Sequence, residues 1–286
     1  MKAFDIKNPL FLQAIAAVDT GSTDELMNLI DKHPWLVRDR LDNHKDGYFK
    51  NPYLLWYVAD NPIRAGKLPD NIVELTRQFV QAVKRHALET YQYQIDYTLG
   101  LVASGSVPHK CGVQIAMLDL LIDSGASPDS AMNALTHGNI EAAQHLVARG
   151  DKLTLALAVC LERNGDINNL VALASTSEKI IALAAAAYYG KAGMIKYLLQ
   201  MNTDPNGFPE ANGGFHSHAT ALHQAVNSGC LDCVKLLVGA GARLDVPDKI
   251  YNGTPLGWAD YLSRDSNDET RKRHFSLIQD YLYSVE

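Results

Sequence analysis

The strongest constraint on this chain is that a stretch of its own sequence comes back. Residues 219–246, ATALHQAVNSGCLDCVKLLVGAGARLDV, read as a short helix over Ala221–Asn227, a break at Gly229, a second helix over Leu231–Val238 and a stop at the small residues Gly239 to Ala242. On the second helix Leu231, Val234, Leu237 and Val238 recur at helical spacing and make one apolar face. Thr220-Ala-Leu-His223 returns as Thr254-Pro-Leu-Gly257, 34 residues further on. Going backwards, 183–206 repeats the layout with Gly190 at the break, 134–150 with Gly138, and 158–174 more loosely around Gly165. Residues 117–129 read as a second helix with its exit loop, and 11–37 as an opening unit. A unit this small cannot bury its own apolar face, so copies must stack into a continuous core.

Local chemistry agrees with stacking. Glycine between the two helices permits the left-handed backbone of a tight helix end, and Gly125, Gly150 and Gly241 do the same after the second helix. Alanines at 182, 184–187 and 225 let first helices approach closely. Thr254 followed by Pro255 is a helix start, since threonine caps and proline suits the first turn. These residues carry a resemblance. ALHQAVNSGCLDCVKLLVGAGA (221–242) resembles the ankyrin-repeat consensus over nearly its full length, and YNGTPLGWA (251–259) resembles the start of the next repeat. The resemblance implies an all-α solenoid of helix-turn-helix units joined by short loops or hairpin fingers. It implies seven or eight units in a single array over 1–286, divergent over 1–130, clearer over 131–262, and closed by a capping helix over 263–286. It also gives His223 a structural role, bonding across adjacent loops.

Departures from the period predict an irregular array. Gly138 to Gly165 is 27 residues and Gly165 to Gly190 is 25, so these middle units are expected to turn tightly from one helix pair into the next. Gly190 to Gly229 is 39 residues and leaves a long connection over 204–220. A second long unit runs from Asn43 to Ser104 and contains a helix, 71–86, of unusual length for the family. The end of the chain, 269–283, mixes charges with Phe275, Ile278, Tyr281 and Leu282, as a terminal helix with one face in water would.

Composition narrows the function classes. The longest apolar runs, 153–161 and 180–189, fall short of the roughly 20 residues that span a bilayer. The opening MKAFDIKNPLF has no apolar stretch of leader length, and the expectation is a cytoplasmic, unprocessed protein. Cys111, Cys160, Cys230 and Cys233 lie in apolar or helical patterns and suggest no disulfide framework. The net charge of −6 is scattered in both signs, with no basic block for a nucleic acid.

No catalytic set emerges, and the expectation is a protein that is not an enzyme and needs no cofactor. There is no Gly-x-Ser-x-Gly elbow, Asn212-Gly213-Gly214 lacks the lysine of a phosphate loop, and the carboxylates Asp24/Glu25 read as a solvated face. His216, His218, His223, Cys230 and Cys233 form the one cluster of soft ligands in the sequence. It supports an alternative reading as a metal- or small-molecule-binding protein, set against the structural reading of His223 and Cys233 and the four convergent ligands zinc asks for.

The leading expectation is a monomeric module that binds a protein or peptide through its loops and concave surface. Two regions are the candidates. One is 46–64, with Tyr48, Phe49, Tyr53, Trp56, Asp60 and Arg64; the other is the long connection with Phe208, Phe215, His216 and His218, extended by Tyr251. Aromatic side chains and arginine concentrate binding energy. For Trp56 and Tyr57 a core role stands equally open. Glycines, prolines and polar residues make the long connection read as a surface finger. Tyr93 and Tyr97 share a helix face and either extend the first surface or cover the long helix.

Overall fold

The computed structural model describes residues 8–42, 46–211 and 214–286. Outside it lie residues 1–7, Asn43, where the long unit was expected to begin, and Asn212–Gly213 of the glycine run. Among the described residues the regular structure is helical throughout, with no strand. The chain groups into two compact units, Met1–Lys152 and Leu153–Glu286.

The first unit holds α1 (Pro9–Thr20), α2 (Thr23–Lys32), α3 (Trp35–Arg38), a 3₁₀ segment (Leu54–Ala59), α4 (Ile72–His86), α5 (Tyr91–Ser104), α6 (Ser106–Lys110), α7 (Gln114–Asp123), α8 (Ala131–Thr136) and α9 (Ile140–Ala148). They form two layers. One runs α1, the 3₁₀ segment, α5, α8; the other runs α2, α4, α7, α9. The long helix α4 is held by a buried stripe at helical spacing, Ile72, Leu75, Thr76, Phe79, Val80 and Val83. The opening unit is also clear: Asn8 caps α1 from outside, and Gly21 closes it with left-handed backbone (φ 74°).

The second unit holds α10 (Leu155–Cys160), α11 (Asn164–Leu173), α12 (Thr176–Tyr188), α13 (Ala192–Gln200), α14 (Ala221–Ser228), α15 (Leu231–Gly239), α16 (Pro255–Asp265) and α17 (Glu269–Val285). Here α10, α12, α14 and α16 make the first layer, and α13, α15 and α17 the second, with α11 packed on α10. Small side chains bring the first-layer helices together: Ala182 and Ala184–Ala187 of α12 are fully buried. The terminal helix α17 turns Phe275, Ile278 and Leu282 inward and leaves Leu277, Tyr283 and Val285 exposed.

The turns correct one register. Gly138, Gly190 and Gly229 are left-handed, but between α10 and α11 that role falls to Glu162 (φ 56°). Gly165, assigned there from sequence, lies inside α11. The middle spacings therefore become 24 (138 to 162) and 28 (162 to 190) residues. Asn202 (φ 56°) likewise supplies the exit of α13, a position where asparagine tolerates the left-handed region. The tight return expected in the middle units is built by Ser175 and Glu178, which form a capping box two residues after α11 ends.

Candidate functional site

The segment 46–66 fills a first-layer slot with aromatic rings instead of a helix. Leu54 to Ala59 are all buried between α1 and α5, where the other first-layer slots hold α-helices. Trp56 stacks on Tyr97 with ring centroids 3.9 Å apart, and Phe49 meets Tyr57 edge-on at 5.2 Å. Tyr53 and Tyr93 close the cluster, and the Arg40 guanidinium sits over Tyr53, Trp56 and Tyr93 at 5.1, 5.6 and 5.3 Å. Trp56 Nε1 and Tyr57 Oη find no hydrogen-bond partner. That omission costs roughly 1–3 kcal/mol per group, so ring packing must outweigh it.

Phe49, Tyr53 and Trp56 thus point inward, a correction to the partner-facing role expected of them. The reason is that the 3₁₀ segment alone separates α1 from α5 and needs bulk to do so. Asp60 and Arg64 also turn inward. Asp60 has left-handed backbone, and its carboxylate accepts from the N–H groups of Arg64, Ala65 and Gly66 at 2.9, 3.2 and 2.8 Å. The Arg64 guanidinium pairs with Asp19 of α1, lies 3.6 Å from Asp60, donates to the Tyr57 carbonyl and covers the Tyr57 ring at 4.9 Å. These two charges brace the slot and leave little for a partner.

Tyr48 stays out, 58% exposed, and so does Ile63. They rim a groove of about 940 Å³ whose floor is the solvent face of α5: Asp96, Tyr97, Gly100, Leu101 and Ser104. Ser106, Ser130, Asn133 and His137 form the far wall. Several of these polar groups hold one another in place. Tyr48 donates to Asn61 Oδ1 (3.0 Å), Asn61 Nδ2 donates to the Leu101 carbonyl (3.0 Å), and Asn133 Nδ2 donates to the Gly100 carbonyl (3.0 Å). Tyr97 donates to the Tyr48 carbonyl, and burial pushes its hydroxyl up. The sequence reading missed Asn61, Ser104, Asn133 and His137. A signal existed: Asp96, Gly100 and Ser104 repeat every fourth residue and share one helix face.

In the second unit the long connection is anchored along much of its length. Phe215 is 2% exposed and packs edge-on against Tyr188 at 5.8 Å, so the sequence-based picture of a projecting finger does not hold there. Its ring has an apolar seat beside α12, which a glycine- and proline-rich composition conceals. His216 lies against Tyr188 and Phe215, and His218 faces Trp258 at 6.2 Å. Phe208 is half-buried beneath the Lys249 ammonium, 4.3 Å from its centroid. Tyr251 is 75% exposed and borders a smaller groove of about 600 Å³ with Asn227, Trp258, Tyr261 and Leu262.

Two polar hubs position that groove. Buried His223 accepts at Nδ1 from the Thr220 amide and hydroxyl, and its Nε2–H donates to the Gly253 carbonyl at 3.0 Å. Both ring nitrogens are committed, and burial lowers the imidazole below its usual range, so it is neutral. Asp248, which the sequence reading overlooked, accepts from the amides of Ile250, Tyr251 and Gly253 and from Trp258 Nε1. Burial would raise its carboxyl, but these four donors outweigh it and hold it at about 2. An aspartate heading an asparagine- and glycine-bearing turn was its sequence signal. Among the described residues no group of three or more His, Cys, Asp or Glu side chains is arranged to hold a metal.

A family model for ankyrin repeats, in three copies, matches residues 131–248. Among solved structures, the human ASB11 ankyrin repeat domain is similar at 15% identity and a TM-score of 0.32, covering 95% of this chain and 98% of that one. The ankyrin repeat domain of Bcl-3, a member of the IkappaB family, is similar at 19% identity and a TM-score of 0.31, covering 78% and 97%. No curated protein matches the chain. Overlays of such low score add nothing to the assignment, which rests on the matched repeats and the helical pairs. Three ankyrin repeats are thus recognised over residues 131–248, and helix pairs in two layers run through each unit.

Proposed function

We propose that the protein binds an extended segment of a partner protein in the groove of the first unit, over α5 and α8. Ankyrin-repeat domains are generally protein–protein interaction modules, which supports the class. One observation carries the choice of surface. The groove joins an exposed apolar rim, Tyr48 and Ile63, to a wall of hydrogen-bonding groups, Ser106, Ser130, Asn133 and His137. Its two carboxylates are already engaged: Asp60 accepts from three backbone donors, and Asp96 from Gln92 and the Ser127 amide. Such a lining suits a peptide main chain with one or two apolar side chains better than an ionic ligand. Tyr251, with Trp258 and Tyr261 behind it, offers the second unit a separate contact.

The test is affinity capture from native extract with three baits: the wild-type chain, a Tyr48→Ala/Ile63→Ser double variant, and Tyr251→Ala. A partner enriched on the wild type and lost from the double variant, with unchanged thermal unfolding, is the expected result. Equal recovery on the wild type and the double variant would remove the groove from consideration. Selective loss on Tyr251→Ala would move the contact to the second unit.

A further inference from the structure

The turn between α14 and α15 carries a chemistry that partner binding does not use. Cys230 is the N-cap of α15 with extended backbone (φ −90°, ψ 94°), which folds its sulfur back over the first helical turn. The Cys233 amide donates to Cys230 Sγ at 3.4 Å. Cys233 is fully buried and Cys230 is half-exposed. On the outer side of Cys230 stands Gly190, where an added Cβ would lie 3.6 Å from Cys230 Cβ. The Gly190 carbonyl accepts from the Cys230 thiol at 3.9 Å. Of the other thiols, Cys111 is exposed and Cys160 is buried, and burial pushes the Cys160 thiol up to about 12.

We propose that Cys230 and Cys233 form a reversible disulfide across the first turn of α15, by exchange with a low-molecular-weight disulfide of the glutathione type. The spacing is that of a Cys-x-x-Cys pair at a helix start, with the outer sulfur accepting the amide of the inner cysteine. The accessible Cys230 loses its proton and attacks one sulfur of the small disulfide. A mixed disulfide forms on Cys230, and one small thiolate leaves and takes up a proton. Cys233 then gives up its proton and attacks Cys230 Sγ, expelling the second small thiol. Two protein thiols are oxidised and one small disulfide is reduced to two thiols. Burial, the Cys230 hydrogen bond and the charges of Cys230 and Asp232 hold the Cys233 thiol well above its ordinary range.

The experiment uses the full chain with Cys111→Ser, which removes the exposed competing thiol, in defined mixtures of oxidised and reduced glutathione. Exchange is stopped with acid, the chain is then denatured, its remaining thiols are alkylated at neutral pH, and they are located by peptide mass spectrometry. The expected result is that Cys230 and Cys233 lose alkylation together, the chain loses two hydrogens in mass, and reduced glutathione restores both. Adding Cys233→Ala should trap glutathione on Cys230 as a stable adduct, and Cys230→Ala should abolish the reaction. A wild-type pair that stays alkylatable throughout, or a Cys230 adduct that persists while Cys233 keeps its thiol, would overturn the proposal. The parent chain decides between these outcomes even where a variant fails to fold, which circular dichroism would show.

Discussion

Residues 54–59 and residues 221–228 hold equivalent first-layer places in their own units, and they hold them by opposite means. The first is a 3₁₀ segment of large side chains, Leu54, Leu55, Trp56 and Tyr57, braced by the charges of Asp60 and Arg64. The second is a regular helix whose Ala221, Ala225 and Val226 allow close approach, braced by a neutral histidine that reaches the next loop. The layer fixes a distance to be spanned, and either a helix with small residues or an irregular segment with large ones can span it. Where side chains do the spanning they are lost to the surface, so a rich aromatic stretch is weak evidence of an interface.

Emptying the aromatic slot should do the most damage. Trp56→Ala removes a fully buried ring stacked on Tyr97 and is expected to cost about 3–5 kcal/mol in urea denaturation. A loss under about 1 kcal/mol would mean that the slot closes around the gap and that ring volume does not set the spacing.

The two braces should differ in kind. Asp60→Ala leaves the mostly buried Arg64 with Asp19 as its one carboxylate partner and removes the acceptor of three backbone N–H groups, for an expected loss of about 3–5 kcal/mol. His223→Ala breaks neutral bonds to Thr220 and Gly253 and should cost about 1–3 kcal/mol. The histidine brace should respond to mild acid. Its folded pKa lies below the 6.5 of the free side chain, so the unfolded chain binds the proton first. Its contribution is complete above about pH 6.5 and falls as pH drops towards the folded value. Asp248 follows at lower pH, its contribution being lost between 3.8 and about 2. Denaturation midpoints of the wild type and His223→Ala, measured from about pH 8 to 5, should converge as pH falls. Parallel curves would show that His223 does not titrate as its burial requires.

Filling the alanine slot should also destabilise, though less. Ala225→Leu adds bulk to a fully buried first-layer position and is expected to cost about 1–3 kcal/mol. If it is neutral, α14 is not close-packed against its neighbours, and the contrast with the 3₁₀ segment weakens.

The same contrast separates what is legible in the chain from what is not. Regular units can be read directly, because Ala221 to Ala242 expresses helix, break, helix and stop in local terms, and α4 and α17 carry clean apolar stripes. The 46–66 segment cannot. Its burial depends on α1 and α5, which are distant in sequence, and nothing local distinguishes Trp56 in a core from Trp56 on a rim. Phe215 fails for the same reason, its seat on Tyr188 being 27 residues away. Tyr48 and Tyr251 lie at the surface as expected, but the polar groove beside Tyr48 is assembled from α5, α8 and a loop, and each contributes residues that look ordinary alone. The left-handed turn at Glu162 escapes the sequence because glycine is the usual mark of such a turn, and the nearby Gly165 draws the assignment.

The turn at Glu162 gives the smallest effects and the cleanest sign. Gly165 lies inside α11 with no positive φ, and an added Cβ there meets nothing within 4 Å. Gly138 is equally open, but its φ is 85°. Space is therefore the same at the two sites and only the backbone differs. Gly165→Ala trades backbone freedom for helix propensity and should stabilise by about 0.5–1 kcal/mol. Gly138→Ala forces an L side chain into the left-handed region and should destabilise by about 1–2 kcal/mol. Opposite signs in paired denaturation curves would place the break between α10 and α11 at Glu162. A loss at both positions would return it to Gly165.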